Sequence, residues 1–311
     1  YFNIQYIRLH GSNFINSFAY KYPEINIINL DKLNYCSNID NVEKNIQNSK
    51  NYIFIKADIN NKELVNYVLN NNNIDTIIHF AAQSHVDDSF ENSLQYTIDN
   101  VQGTHNLLEC SRIYGKLNKF IHVSTDEVYG ESMIDVNEQS KKEHSILCPT
   151  NPYAGTKAAA ELIVQSYSHS YNLPIIITRG NNVYGPNQYP EKLIPKFIKL
   201  LKENKKVTIH GNGESIRSFL HSDDTVNAFI CILDKGKNGN IYNIGCDENM
   251  EYSVLDIAKI LIKLIKKTDN YYDWIEFIRD RPYNDKRYYI NNDKLKNLGW
   301  KIETKYMEEI H

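Results

Sequence analysis

The first 180 residues alternate between short apolar runs and amphipathic stretches, and this alternation constrains the fold more than any other feature. NIINLD (26–31), YIFIKADI (52–59), IDTIIHFAA (74–82), KFIHVS (119–124) and PIIIT (174–178) each have the length and composition of a buried strand. Between them, Leu94, Ile98, Val101, Leu107, Leu108 and Ile113 mark an amphipathic helix over 93–113. A second helix is expected over about 152–170, starting on Pro152, a favoured first-turn residue. Strand and helix repeated in this order predict an α/β fold, a doubly wound parallel sheet with helices on both faces. After about residue 180 prolines and glycines break the repeat, and helices are expected at 223–233 and 254–265. The division predicted is 1–180 for the doubly wound half and 181–311 for a smaller, mixed half, with about 220–245 returning to the first.

In such sheets the chemistry gathers at the carboxyl ends of the strands. KFIHVSTDEVYG (119–130) runs from an apolar strand straight into Ser124, Thr125, Asp126 and Glu127. Two neighbouring carboxylates in a cleft cannot both ionise cheaply, so one of them is expected to keep its proton near neutral pH. Adjacent acids at this point also serve as the N-terminal pair of a helix, which the macrodipole favours. Tyr153 and Lys157 stand four apart at the start of the second helix and share a face. An ammonium beside a phenol is expected to lower its pKa from about 10 and make a base for a hydroxyl proton. Tyr52 and Lys56 have the same spacing, but in a strand pattern, where four residues have no helical meaning.

On the other side of the sheet, Asp31 closes a strand 20 residues after Gly11, the spacing at which a carboxylate binds an adenosine ribose. An acid there favours NAD over NADP. Asp58-Ile59 and Phe80-Ala81-Ala82 end the next strands, where adenine and pyrophosphate would lie; small residues permit close approach and equally serve packing. The glycine-rich turn that a dinucleotide fold needs is missing: Gln5 and Arg8 stand where glycines are wanted, and only Gly11 is present.

The whole chain excludes several classes. A formal net charge of −3 gives no basic footprint for nucleic acid or anionic lipid. The apolar runs are too short to span a membrane, and the N-terminus lacks a secretory layout. Five cysteines (Cys36, Cys110, Cys148, Cys231, Cys246), with no C-x-x-C pair, predict reduced thiols in the cytoplasm and no metal site. His79, His85 and His122 have no ligand spacing and are expected to pack or line a site. Lys192, Arg217, Arg281 and Arg287 are candidate phosphate binders.

In order along the chain, AAQSHVDDSF, HVSTDEVYGE, NPYAGTKAAAE, NNVYGPNQYPEKLIPKFI, YNIG and DRPYNDKRY resemble the nucleotide-sugar 4,6-dehydratases of the extended short-chain dehydrogenase family. The likeness runs from about Gly11 to Lys305. It implies an NAD-binding Rossmann fold and conversion of a nucleoside-diphosphate-glucose, UDP or dTDP, to its 4-keto-6-deoxy form, a step of nucleotide-sugar metabolism such as rhamnose biosynthesis. Tyr153 with Lys157 would take the 4-hydroxyl proton, oriented by Thr125, while NAD takes hydride from carbon 4. Glu127 would remove the carbon-5 proton, Asp126 would protonate the departing 6-hydroxyl, and hydride would return to carbon 6. The implied cofactor set is Gly11, Asp31, Lys32, Asp58, Ile59, Phe80, Ala81, Ala82, Ser84, Tyr153 and Lys157. The implied substrate set is Ser84, His85, Thr125, Asn182, Lys192, Leu193, Arg217, Asn243, Arg281 and Asn284. A homodimer through the two long helices is also implied. RGNNVYGPNQYPEKLIPKFI and RPYNDKRY look closest to the UDP-glucose enzymes of plants and some large viruses. Related 4-epimerases keep the tyrosine and lysine but lack the Asp-Glu pair; a non-catalytic sugar-nucleotide-binding relative is the other alternative. Val183 and Asp99 depart from the pattern, replacing an amide and a hydroxyl, and residues 1–10 do not match, as though they were not the natural start of the reading frame.

Overall fold

The computed structural model describes residues 2–5 as backbone and 9–133, 138–280 and 285–304 with their side chains. Twelve strands lie among them: β1 (Phe2–Gln5), β2 (Ile27–Asp31), β3 (Tyr52–Lys56), β4 (Thr76–His79), β5 (Lys119–Thr125), β6 (Ile175–Gly180), β7 (Asn182–Tyr184), β8 (Val207–His210), β9 (Ile216–His221), β10 (Ile241–Ile244), β11 (Glu251–Ser253) and β12 (Ile275–Ile278). Seven form one parallel sheet in the order β10-β6-β5-β4-β1-β2-β3. The order reverses between β1 and β4, which opens a crevice at their carboxyl ends. β9 carries β7 parallel on one side and β11 antiparallel on the other, and β8 pairs with β12.

The principal helices are α1 (Leu9–Lys21), α2 (Lys62–Asn71), α3 (Gly103–Tyr114), α4 (Pro152–Tyr171), α5 (Leu193–Lys202), α6 (Ser222–Lys235) and α7 (Val254–Lys266). α1, α2, α3, α4 and α6 cover both faces of the large sheet because its strands are apolar on both. Phe14, Phe18, Phe229 and Ile232 of α1 and α6 pack on Ile78, Ile121 and Ile176. On the opposite face, Val68, Leu107, Leu108 and Val164 of α2, α3 and α4 pack on Ile77, Phe120 and Ile175. A third core joins Phe197 and Leu201 of α5 to Leu261 and Ile262 of α7 over Val207 and Ile209.

Two expected elements differ in detail. The strand expected over 74–82 stops at His79, so Phe80, Ala81 and Ala82 fall in the connection beyond it. The helix expected over 93–113 begins with a single turn at Ser93–Tyr96, winds as a π-helix over Thr97–Gln102 and becomes regular only at α3. Side-chain bonding at the π segment accounts for its persistence: Asn100 donates to the Gln83 carbonyl at 3.2 Å and the Thr156 hydroxyl at 2.9 Å, and Asp99 accepts from Gln83 at 2.7 Å. Extra winding of this kind is often tied to a site. β1 lies inside the sheet, between β4 and β2, although its sequence is not that of a glycine-rich nucleotide fold; Arg8 lies outside the described residues.

Candidate active site

β5 ends on Thr125, and the chain turns at once into a short 3₁₀ helix over Asp126–Tyr129. Thr125 caps it: its hydroxyl oxygen accepts from the Glu127 amide at 3.3 Å. The adjacent acids are therefore a helix N-terminal pair and cleft residues together. α4 begins beside them because Asn151 accepts from the Ala154 amide at 2.8 Å and Pro152 follows in the first turn. The same Asn151 donates its amide to Glu127 Oε2 at 3.0 Å, so the cap of one helix orients an acid on the other. Tyr153 and Lys157, on the first turns of α4, are buried and line the same cleft as Thr125, Asp126 and Glu127.

Burial sets the protonation of this group. Asp126, 3 % exposed, is pushed up to about 7, by burial first and then by the charge of Glu127; bonds from Asn181 and Thr125 oppose the rise. Asn181 donates to Asp126 Oδ2 at 2.6 Å, and the Thr125 hydroxyl donates to Oδ1 at 3.1 Å. Glu127 is also raised by burial, opposed by Asn151, Arg217 and Lys192.

Tyr153 corrects an expectation. Its pKa lies well above the ordinary phenol value, not below it, because burial and then the Glu127 charge outweigh a hydrogen bond with Thr125. The Lys157 ammonium is directed at the Val123 carbonyl, 2.6 Å away, and burial lowers it to about 8, with Glu161 opposing.

Ser84, His85, Asn182, Lys192, Leu193 and Arg217 line the same cleft, which encloses about 920 Å³. Lys192 donates to the Ser84 carbonyl at 3.0 Å, and the Arg217 guanidinium sits 4.9 Å from the centre of the Tyr288 ring. Two expected phosphate or substrate contacts, Asn243 and Arg287, are not brought there as predicted. Asn243 is fully buried, and its amide is committed to Tyr129, Lys141 and Asn291. Arg287 is held by both carboxylate oxygens of Glu251. His79 and His122 are core residues, and only His85 of the three histidines faces the cleft. Arg281 and Asn284 lie outside the described residues.

A smaller pocket at the ends of β2, β3 and β4 collects Asp31, Lys32, Asp58, Ile59, Ala81 and Ala82, with Asp99. Ala82 lines both spaces, and Gly11, Phe80 and Ser84 line the larger one, so the two adjoin. Asp31 is 1 % exposed and accepts from the Leu33 amide at 2.6 Å. Alanines at positions 57, 81 and 82 line the pocket together with that acid. The set fits an adenosine whose ribose hydroxyls meet a carboxylate.

Four contributors were missed from sequence. Asn151 carries the Asn-Pro signal of a helix start, which says nothing of its second bond. Asn181, Tyr288 and Asp285 come from distant segments. Tyr288 donates to Glu127 at 3.4 Å and to Asp285, which also accepts from Thr150 at 2.8 Å. No sequence signal links these positions.

The chain matches the family model described as GDP-mannose 4,6 dehydratase over residues 9–311. It is 48 % identical over 300 residues to a trifunctional UDP-glucose 4,6-dehydratase/UDP-4-keto-6-deoxy-D-glucose 3,5-epimerase/UDP-4-keto-L-rhamnose-reductase of Arabidopsis thaliana, covering 96 % of this chain and 44 % of that one. This chain thus spans less than half the length of that plant relative. It is also 48 % identical over 304 residues to a human dTDP-D-glucose 4,6-dehydratase, covering 96 % and 84 %. Among solved structures, DesIV, a dTDP-glucose 4,6-dehydratase of Streptomyces venezuelae with NAD and TYD bound, superposes with a TM-score of 0.90 at 33 % identity, covering 98 % of this chain and 92 % of that one. With nearly the whole sequence matched and the fold shared, the chain belongs to the GDP-mannose 4,6 dehydratase family.

Proposed function

We propose that the protein dehydrates a nucleoside-diphosphate-glucose, UDP- or dTDP-glucose, to the 4-keto-6-deoxy sugar nucleotide with NAD as resident cofactor. The observation that carries this reading is the pairing of two raised carboxyls, Asp126 and Glu127, with Tyr153 and Lys157 in one cleft. The names of the plant, human and Streptomyces proteins support it. When bound, NAD would supply the hydride acceptor and donor for the transfer between carbons 4 and 6. The pocket of Asp31, Lys32, Asp58, Ile59, Ala81 and Ala82 would hold its adenosine half.

This chain's residues supply the proton chemistry. Tyr153 takes the 4-hydroxyl proton, and Thr125, bonded to Tyr153, orients that oxygen. The Tyr153 phenol stands high in the structure described, so phenolate formation relies on charge brought in by the ligands and on Lys157. Asp126 at about 7 holds a proton at neutral pH and serves as the acid for the leaving 6-hydroxyl. Glu127, held at one oxygen by Asn151, is the base for the carbon-5 proton that the 4-ketone acidifies. Lys192 and Arg217 supply positive charge at the cleft wall for the diphosphate. A 4-epimerase has no use for this acid-base pair.

Residues 1–180 with the return near 220–245 carry cofactor and catalysis in this reading, and 181–311 the sugar nucleotide. We further propose a cytoplasmic homodimer through the helices over 93–113 and 152–170. Support comes from apolar side chains left at their surface, Leu94 (80 % exposed), Ile113 (56 %) and Leu162 (61 %). No helix among the described residues is long and apolar enough to cross a membrane.

Incubation of the purified protein with UDP-glucose and dTDP-glucose in turn tests the reading. A 4-keto-6-deoxy product from either is expected; no product from both, with no bound NAD, overturns it.

A further inference from the structure

Position 32 poses a problem that the acid at 31 does not solve. A carboxylate at the end of the second strand suits a free ribose 2′-hydroxyl, whereas a nearby cation suits a 2′-phosphate. This chain has both, side by side, as Asp31-Lys32. Both side chains line the small pocket. The position of the Lys32 ammonium therefore bears on which dinucleotide the pocket admits.

That ammonium is 2.7 Å from Asp99 Oδ1 and 3.8 Å from Asp58 Oδ2. Asp99 is only 6 % exposed and comes from the π-helical segment on the far side of the pocket. Its carboxylate is fixed by further donors, Gln83 on Oδ2 at 2.7 Å and Gln95 on Oδ1 at 3.2 Å. Asp99 is thus a rigid acceptor that draws Lys32 across the pocket. Three carboxylates (Asp31, Asp58, Asp99) face one cation, so the lining is net negative.

We propose that Asp99 is a specificity-determining residue, which excludes 2′-phosphorylated dinucleotides by holding the Lys32 ammonium. The inference rests on the functional reading above in taking the pocket as the adenosine site. Removing the Asp99 charge leaves the Lys32 ammonium only its longer 3.8 Å contact with Asp58 and takes one negative charge from the lining. Both changes favour a 2′-phosphate, while the bond between Asp31 and a free ribose hydroxyl is untouched.

The test is fluorescence titration of the full chain with NAD and NADP, after bound nucleotide is removed on charcoal. Wild type, Asp99→Asn and Asp99→Asn/Lys32→Gln are compared, with Asp99→Thr as a second single variant should Asn fail to fold. Wild type is expected to prefer NAD. In the single variant the preference falls about fivefold or more, the equivalent of ~1 kcal/mol. The double variant regains the wild-type preference, because the released cation is gone. An unchanged ratio in the single variants, or a relaxed ratio that persists in the double variant, overturns the proposal. A wild-type chain that binds neither nucleotide overturns the functional reading itself, so the two failures are distinguishable.

Discussion

Asp126 and Glu127 are neighbours in sequence but not in circumstance. Asp126 accepts hydrogen bonds on both oxygens and is nonetheless raised to about 7, because burial and an adjacent carboxylate cost its ionised form more than two neutral donors return. A folded-state pKa above the unfolded value of about 3.8 means that the folded chain retains a proton the unfolded chain has lost. Stability therefore falls as pH rises from about 4 through 7. Asp126→Asn removes that cost, so its unfolding free energy should exceed that of wild type at pH 8 by on the order of a few kcal/mol, read as a higher melting temperature, with the gap closing below pH 4. The same group is needed protonated for turnover, so kcat of the wild-type enzyme should decline as pH rises through 7. Glu127→Gln keeps the shape and loses the base. Turnover should drop by about 10²–10⁴ in a steady-state assay, while exchange of hydrogen at carbon 4 with bound cofactor survives.

At the scale of elements, α4 carries two jobs on one residue. Asn151 caps the helix and donates to Glu127. Asn151→Asp keeps a good cap but removes the donor and adds charge beside Glu127. Thermal stability should stay within about 1 kcal/mol of wild type below pH 4, where both acids are protonated, and fall below it as pH rises, while kcat drops at least tenfold; Asn151→Ala should lose stability at every pH and kcat as well. Periodicity and caps made these elements legible: the helix at Pro152 and the helix of Val254–Lys266 were anticipated within two residues at each end. The strand carrying Thr125 was legible as an apolar run meeting polar residues. What escaped was non-local bonding. Asn243 sits at a strand end as a binding residue would, yet its amide is used up inside the protein. The π winding at Thr97–Gln102 has no signature in apolar spacing, since side-chain hydrogen bonds hold it. Spacing could put Lys157 on the same face as Tyr153, but the ammonium's bond to the Val123 carbonyl comes from a different strand.

The whole molecule places its chemistry where the strand order reverses, with the smaller sheets closing the cleft from the other side. Its exposed apolar residues Leu94, Ile113 and Leu162, on the segments over 93–113 and 152–170, have no covering within one chain. Leu162→Asp and Leu94→Asp should convert a dimer to monomer in sedimentation velocity at micromolar concentration, whereas a wild-type monomer under those conditions contradicts the dimer. The central claim is that one cleft moves hydrogen from carbon 4 to carbon 6 while its acid-base pair removes water. The most direct measurement is the fate of label from UDP- or dTDP-glucose deuterated at carbon 4. Deuterium recovered at carbon 6 of a 4-keto-6-deoxy product is the predicted result. Deuterium retained at carbon 4 of a sugar that still bears its 6-hydroxyl would contradict it.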